Sequence, residues 1–365
     1  MANRMENIFE NVKKNFGFGC MRMQMDGENV DLNEFTKMVD AFMNAGFNYF
    51  DTAHVYINGQ SETALRTCLT SRYPRESYVL ANKLSSSCFE SNEEILPLFQ
   101  TQLQACGVDY FDFYLMHCQT SKSYPKFKAC GAYETAQKLK ADGKVKHLAI
   151  SFHDTPEYLD MILTEQPAIE AVQIQFNYLD WENPKVQSRR CYEVCRKHNK
   201  PMIIMEPVKG GKLVNLPDDA RAVLDEVGNG SDASFAIRFA ASFEGVKMVL
   251  SGMGNMAMVN DNISYMQDFQ PLSPAEFSAI EKVRQILIER DKIACTACRY
   301  CCEVCPQQIP IPELFIAMNE NTAFTYAADS SKASQCLECG LCEDACPQHL
   351  QIRELLKKAA AKFDK

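Results

Sequence analysis

Residues 78–117 read YVLANKLSSSCFESNEEILPLFQTQLQACGVDYFDFYLMH, two apolar, β-prone runs separated by one helical stretch. YVLANK and YFDFYLMH have the length and composition of buried strands, whereas EEILPLFQTQLQACG carries apolar residues at helical spacing and stops at a glycine. A strand, a helix and a second strand in this order form a unit whose strands lie parallel and whose crossover is right-handed.

The same rhythm extends in both directions. Further strand candidates are FGFG, YFDTA, VKHLAISFH, AVQIQFN, PMIIMEP and VKMVLSGM, and between them lie amphipathic stretches such as LNEFTKMVDAFMNAG, SETALRTCLTS and YETAQKLKADGK. Eight strands over roughly 250 residues match a (β/α)8 TIM barrel, with chemistry expected at the carboxyl ends of the strands. A doubly wound sheet is the competing arrangement. It is disfavoured because no G-x-G-x-x-G follows the first strand, and the GFG at Gly17 and Gly19 is too short to serve.

Polar residues at those strand ends are Asp51 and Tyr56 after the second strand, Lys83 after the third and His117 after the fourth. An ammonium beside a phenol favours the phenolate, and an aspartate beside the ammonium keeps it charged and oriented. Tyr56 is therefore expected to be acidified by Lys83 and to act as a general acid, with His117 orienting a carbonyl oxygen.

The last part of the chain has a different character. Nine of the seventeen cysteines follow residue 290. CTACRYCCEVCP places Cys295, Cys298, Cys301 and Cys305 at C-x2-C-x2-C-x3-C-P spacing, and CLECGLCEDACP repeats it with Cys336, Cys339, Cys342 and Cys346. Three thiolates wrap one cluster and the fourth, starting a helix, crosses to the other. One 4Fe-4S cluster is thus assigned to Cys295, Cys298, Cys301 and Cys346, the second to Cys336, Cys339, Cys342 and Cys305, leaving Cys302 over. Zinc sites are the alternative, but zinc knuckles pair C-x2-C units and lack the C-x3-C-P continuation. The expected organisation is a barrel over residues 1–290 and a small α-helical ferredoxin-like two-cluster domain over residues 291–365.

FDTAHVYINGQSE, LANK, VDYFDFYLMH, GFGCMRM and EPVKGGKL resemble the aldo-keto reductase family across residues 15–290, and the whole chain resembles its branch with a ferredoxin-like extension. The resemblance implies a catalytic tetrad of Asp51, Tyr56, Lys83 and His117. It also implies cofactor contacts at Gly19, Ser151, Gln173, Gly210, Gly211, Ser251, Gly252, Asp261 and Asn262, with His153 where many members have asparagine. In SGMGNMAMVNDN, Gly252 and Met258 stand where many members carry a lysine and an arginine for the 2′-phosphate of NADP, so NAD is at least as well suited as NADP.

Three functions follow as expectations. The first is carbonyl reduction of a small molecule by hydride from NAD(P)H, with the clusters structural, regulatory or linked to an external carrier. In the second, a flavin or an electron-accepting substrate occupies the pocket and is fed by the clusters, with a ferredoxin or other carrier as partner. In the third, the barrel is non-catalytic and the tail is an electron carrier. A formal net charge of -9 argues against nucleic acid. The start of the chain lacks a signal-peptide core, and no run of about 18 apolar residues suggests a membrane span, so a cytoplasmic place is expected. Arg22 is read either as a partner for a substrate carboxylate or a cofactor or as an ordinary surface arginine, Cys118 either as a buried small hydrophobe or, next to His117, as an exception to that reading, and QTSKSYPKFKAC as a loop over the pocket mouth.

Overall fold

Runs of β-branched and aromatic residues that are buried on both faces form eight parallel strands in the computed structural model, which describes residues 7–289, 293–320, 322–327 and 330–364. They are β1 (Phe16–Gly19), β2 (Tyr49–Asp51), β3 (Val79–Leu84), β4 (Phe111–Gln119), β5 (Val145–Phe152), β6 (Ala171–Gln175), β7 (Met202–Met205) and β8 (Val246–Gly252). Each pairs with its neighbours in sequence, and β1 pairs with both β2 and β8, which closes the barrel. A two-residue antiparallel ribbon, Met25–Asp26 with Asn29–Val30, follows β1 and had no counterpart among the expected strands.

Helices surround the ring. Leu32–Asn44 starts where the Asp31 carboxylate accepts the N–H groups of Asn33 and Glu34, each at 3.0 Å, and it buries Phe35, Met38, Val39 and Phe42 against the barrel. Asn92–Cys106 ends at Gly107 in the left-handed region, as the glycine stop predicts.

The two-residue period of a strand explains the barrel's interior. Tyr49, Val79, Ala81, Phe113, Leu115, Ala149, Ala171, Ile203, Met248 and Leu250 form an inner apolar cluster, closed by Phe9, whose ring lies 5.0 Å from that of Phe113. Continuing the same inward series by two residues reaches Asp51, Lys83, His117, Ser151 and Gln173. Gly17 completes the packing: a Cβ there would lie 2.8 Å from the side chains of Leu250 and Met248.

After residue 292 the chain forms a second body in which a short helix, a proline turn and a longer helix occur twice: Tyr300–Glu303 with Ile311–Glu320, and Leu341–Asp344 with Ile352–Phe363. Ile309, Ile311, Leu314, Phe315, Ile352 and Leu356 give it a core of its own. Cys305 and Cys346 do not start helices. Each precedes a proline, Pro306 and Pro347, which disfavours helical backbone at the preceding residue, and the longer helices begin only at Ile311 and Ile352. The expected boundary at residues 290–291 lies outside the described residues. Among the described residues no helix is long and apolar enough to cross a membrane.

Candidate active site and cysteine sites

Lys83 is fully buried, and its ammonium donates to Asp51 Oδ1 at 2.5 Å and to the Thr52 carbonyl at 2.7 Å. Asp51 Oδ2 accepts from Gln173 Nε2 at 3.2 Å. Burial raises the Asp51 carboxyl, and Lys83 and Gln173 oppose that rise. The ammonium also lies 4.8 Å from the centroid of the Tyr56 ring, beneath the aromatic face. His117 stands edge-on to the same ring at 5.9 Å between centroids. Its Nδ1 is held by Ser85 Oγ at 2.6 Å, which leaves Nε2 as the ring nitrogen available to a ligand.

One sequence expectation is reversed. The Tyr56 phenol is held well above its ordinary range, first by burial and then by Asp51, rather than being acidified. The Lys83 charge is already shared between Asp51 and a carbonyl, and it meets the ring face, so it does not outweigh the desolvation of a phenolate. His117 is held well below the usual histidine value by burial, by Lys83 and by His153. The site therefore presents a protonated phenol and a neutral imidazole side by side.

These groups face a cavity of about 590 Å³ at the carboxyl ends of the strands. Asp51, Tyr56 and His117 line it, as do Gly19, Ser151, Gln173, Gly210, Gly211, Ser251, Gly252, Asp261 and Asn262; Lys83 lies just behind the wall. Ser151 Oγ accepts the Cys118 N–H at 2.8 Å, Asn262 Nδ2 donates to Ser251 Oγ at 3.1 Å, and Ser231 donates to Asp261 at 2.7 Å. Burial pushes the Cys118 thiol up to about 11, so it remains a thiol at neutral pH.

The segment after β4 does not cover this mouth. Its residues 124–129 are helical and stay outside the cavity lining, because Tyr124 and Phe127 pack into the core. The cysteine-rich body covers the mouth instead, contributing Cys298, Tyr300 and Pro347 to the wall. Arg22, a candidate for a substrate carboxylate or a cofactor, is occupied: it donates to the Thr296 carbonyl at 3.0 Å and to the Gly210 carbonyl at 3.4 Å, and lies 3.7 Å from Glu206. Lys209 pairs with buried Asp180 and donates to Gln348 at 2.7 Å. Gly210 must be glycine here: its φ is +63°, and a Cβ would lie 2.1 Å from the Thr296 carbonyl oxygen.

Two small voids lie within the cysteine-rich body. One is bordered by Cys295, Cys298, Cys301 and Cys346, the other by Cys305, Cys336, Cys339 and Cys342. Cys302 borders neither, and its thiol is directed to the Ile309 carbonyl at 3.6 Å. Each group of four thus takes one cysteine from the other motif, and an all-thiol donor set is the one iron–sulfur clusters use.

Residues 15–285 match the Aldo/keto reductase family. The chain belongs to that family. Residues 294–350 match the 4Fe-4S dicluster domain, so this aldo/keto reductase carries an iron–sulfur domain after its barrel in the chain. An aldo-keto reductase from Mycolicibacterium smegmatis is 31% identical over 136 residues, which is 37% of this chain and 47% of that protein. The chain spans about half the length of that relative. A 9,11-endoperoxide prostaglandin H2 reductase of Trypanosoma cruzi is 25% identical over 61% of this chain and 72% of that protein. The aldo-keto reductase of Bacillus halodurans in its holo form shares the fold at a TM-score of 0.61 and 23% identity, covering 74% of this chain and 91% of that one. The Klebsiella pneumoniae aldo-keto reductase solved with NADPH has a TM-score of 0.59 at 17% identity, over 74% of this chain and 90% of that one.

Several residues at this reductase's mouth escape sequence reading. Ser85 had a usable signal, lying two residues beyond Lys83 on the inward-facing series of β3. Glu206 had one too, standing directly after β7 at a strand end, whereas Tyr300 had none, because its place in the cavity depends on the docking of the cysteine-rich body.

Proposed function

We propose that this protein reduces the carbonyl of a small molecule bound over Tyr56, with hydride supplied by a nicotinamide dinucleotide in the same cavity. The observation that carries this reading is the Tyr56 phenol edge-on to the His117 imidazole in one cavity, with the buried Lys83 nitrogen 4.8 Å from the centre of the Tyr56 ring. Tyr56 hydrogen-bonds the carbonyl oxygen and delivers its proton as negative charge develops there. His117 Nε2 fixes the second lone pair of that oxygen, and Lys83 holds positive charge beneath the phenol, with Asp51 and Gln173 keeping it in position. A phenol raised above its ordinary range suits the direction of reduction, which needs the proton present.

Ser151, Gln173, Gly210, Gly211, Ser251, Gly252, Asp261 and Asn262, with Gly19, are the residues we assign to the dinucleotide. Among the described residues lining the cavity, Arg22 is the one lysine or arginine, and it is engaged by Glu206 and two carbonyls. Gly252 and Met258 offer a 2′-phosphate no cation, so NADH is the preferred donor. We assign the two groups of four cysteines to two 4Fe-4S clusters, and the division of the chain to the neighbourhood of residue 290.

Replacing Tyr56 by Phe tests the core of this reading. Turnover with NADH should fall at least about a hundredfold, the lower end of what a general acid contributes. A loss of only a few fold would remove Tyr56 from the mechanism. Iron and sulfide analysis of anaerobically prepared protein tests the cluster assignment, and zinc in place of iron would reject it.

A further inference from the structure

The large cavity and the first cysteine site share a wall. Cys298 borders both, and Pro347, next to Cys346, borders the large cavity as well. Neither site has a barrel residue in its lining, but the second shares no lining residue with the large cavity and holds the exposed Cys339 beside buried Cys342, whereas the first has Cys301 and Cys346 buried and Cys298 on the shared wall. Going inward from solvent, the order is therefore the second site, the first site, then the cavity.

Between Cys298 and Cys301 in the chain, Tyr300 brings a second phenol to the cavity that Tyr56 lines. Its hydroxyl lies 4.0 Å from the Met21 sulfur, a weak acceptor, so its donor remains available to a better one. Met205, Val208, Ile237 and Leu250 give the same cavity apolar walls.

A hydride carries two electrons and a 4Fe-4S cluster carries one, so a cluster beside the cavity is useful to an occupant that accepts electrons singly. A simple aldehyde or ketone does so poorly. A conjugated dicarbonyl does so readily, because its one-electron-reduced form is delocalised, and its two oxygens match two phenol donors. We propose that the cavity takes a quinone-type dicarbonyl, with one oxygen on Tyr56 and the other on Tyr300, and reduces it by single electrons crossing the wall at Cys298. The proposal rests on the cluster assignment and on the carbonyl position given under Proposed function.

The step balances. With both cysteine sites filled, two reduced clusters would supply one electron each, and the quinone would take up those two electrons and two protons to leave as a quinol. One proton comes through Tyr56, which recovers it from solvent, and the other comes from solvent directly. A low-potential one-electron carrier of the ferredoxin class restores the clusters from the Cys339 side.

The test uses anaerobic holoprotein reduced with dithionite, desalted and mixed with 1,4-naphthoquinone while cluster absorbance is followed. Reoxidation should saturate with quinone concentration and consume two electrons per quinone. Tyr300→Phe should slow it about tenfold, the scale of one lost hydrogen bond, without changing reoxidation by ferricyanide, which needs no cavity. Adding 1,4-naphthohydroquinone to the reduced protein should shift the electron paramagnetic resonance signal of one cluster and leave the other unchanged. Reoxidation linear in quinone and equal in Tyr300→Phe, or spectra indifferent to the quinol, would overturn the proposal by showing that electrons leave from the exposed site. Aldehyde reduction driven by NADH in the same preparation separates the two readings: if it persists and depends on Tyr56 while the quinone results fail, this inference alone falls.

Discussion

The floor and the mouth of the barrel are built by the same eight strands and differ by a single step of the pleat. At the floor, Tyr49, Ala81, Phe113 and Ala149 fill the interior and are sealed by Phe9. Two residues further along the same strands, Asp51, Lys83, Leu115 and Ser151 occupy the next inward layer, and His117 follows above Leu115. Close packing stabilises the floor. The mouth contains a buried ion pair, a phenol that cannot easily ionise and a histidine that cannot easily protonate, arrangements that a well-packed apolar layer would match or exceed in stability. The difference between the ends shows where this protein gives up stability for chemistry.

Substitutions sharpen that contrast. Phe113→Ala at the floor should cost about 3–5 kcal/mol of unfolding free energy, the range for truncating a buried phenylalanine, while the Tyr56-dependent chemistry of the surviving folded fraction changes little. Denaturant unfolding together with turnover per folded molecule measures both; a loss under about 1 kcal/mol would mean that the floor is not close-packed. Lys83→Met should cost a similar amount, about 3–5 kcal/mol, since it leaves the Asp51 carboxylate buried without its partner. It should also abolish turnover, which distinguishes it from the floor variant. Protonation relieves an unpaired carboxylate, so the stability deficit of Lys83→Met should shrink as pH falls.

Tyr56→Phe is expected to show the opposite balance: turnover down at least about a hundredfold, with stability within about 1 kcal/mol of the parent. Because the phenol is raised above its ordinary range of about 10, reduction should not lose activity through Tyr56 ionisation between neutral pH and that range. Oxidation of the product alcohol needs the phenolate and should instead rise with pH across the same interval. A reduction rate that falls through neutral pH with the Tyr56 ionisation would contradict the burial argument.

The smallest expected effect is at His54, whose Nδ1 meets Glu62 at 2.7 Å and whose pKa is raised by that contact. A raised histidine stabilises the fold below its unfolded value, about 6.5, and the contribution is lost as pH rises through the folded value. With the imidazole partly exposed, His54→Gln should remove less than about 1 kcal/mol at pH 5 and less still at pH 9. Thermal unfolding at the two values checks the sign.

The barrel was legible because each strand announces itself locally. YFDFYLMH and VKHLAISFH are apolar along nearly their whole length, and Gly107 stops a helix where the pattern ends. The meeting of Asp51, Tyr56, Lys83 and His117 was legible because each stands at the end of a strand or shortly after it. The segment after β4 misled, since its polar residues read as a loop while Tyr124 and Phe127 anchor a helix. Tyr56 misled more deeply: closeness to an ammonium was readable, but the share of that ammonium taken by Asp51 and the Thr52 carbonyl was not.

By itself the sequence determined what periodicity and spacing encode, namely the alternating strands and helices and the cysteine repeat, since each depends on residues near one another in the chain. Tertiary structure alone decided that the cysteine-rich body lies over the barrel mouth, that Arg22 donates to the Thr296 carbonyl and Gly210 packs against it, and that Cys298 and Tyr300 border the cavity of Tyr56. Those contacts join barrel residues to residues of the cysteine-rich body, and their energies arise only when two finished surfaces meet and exclude water.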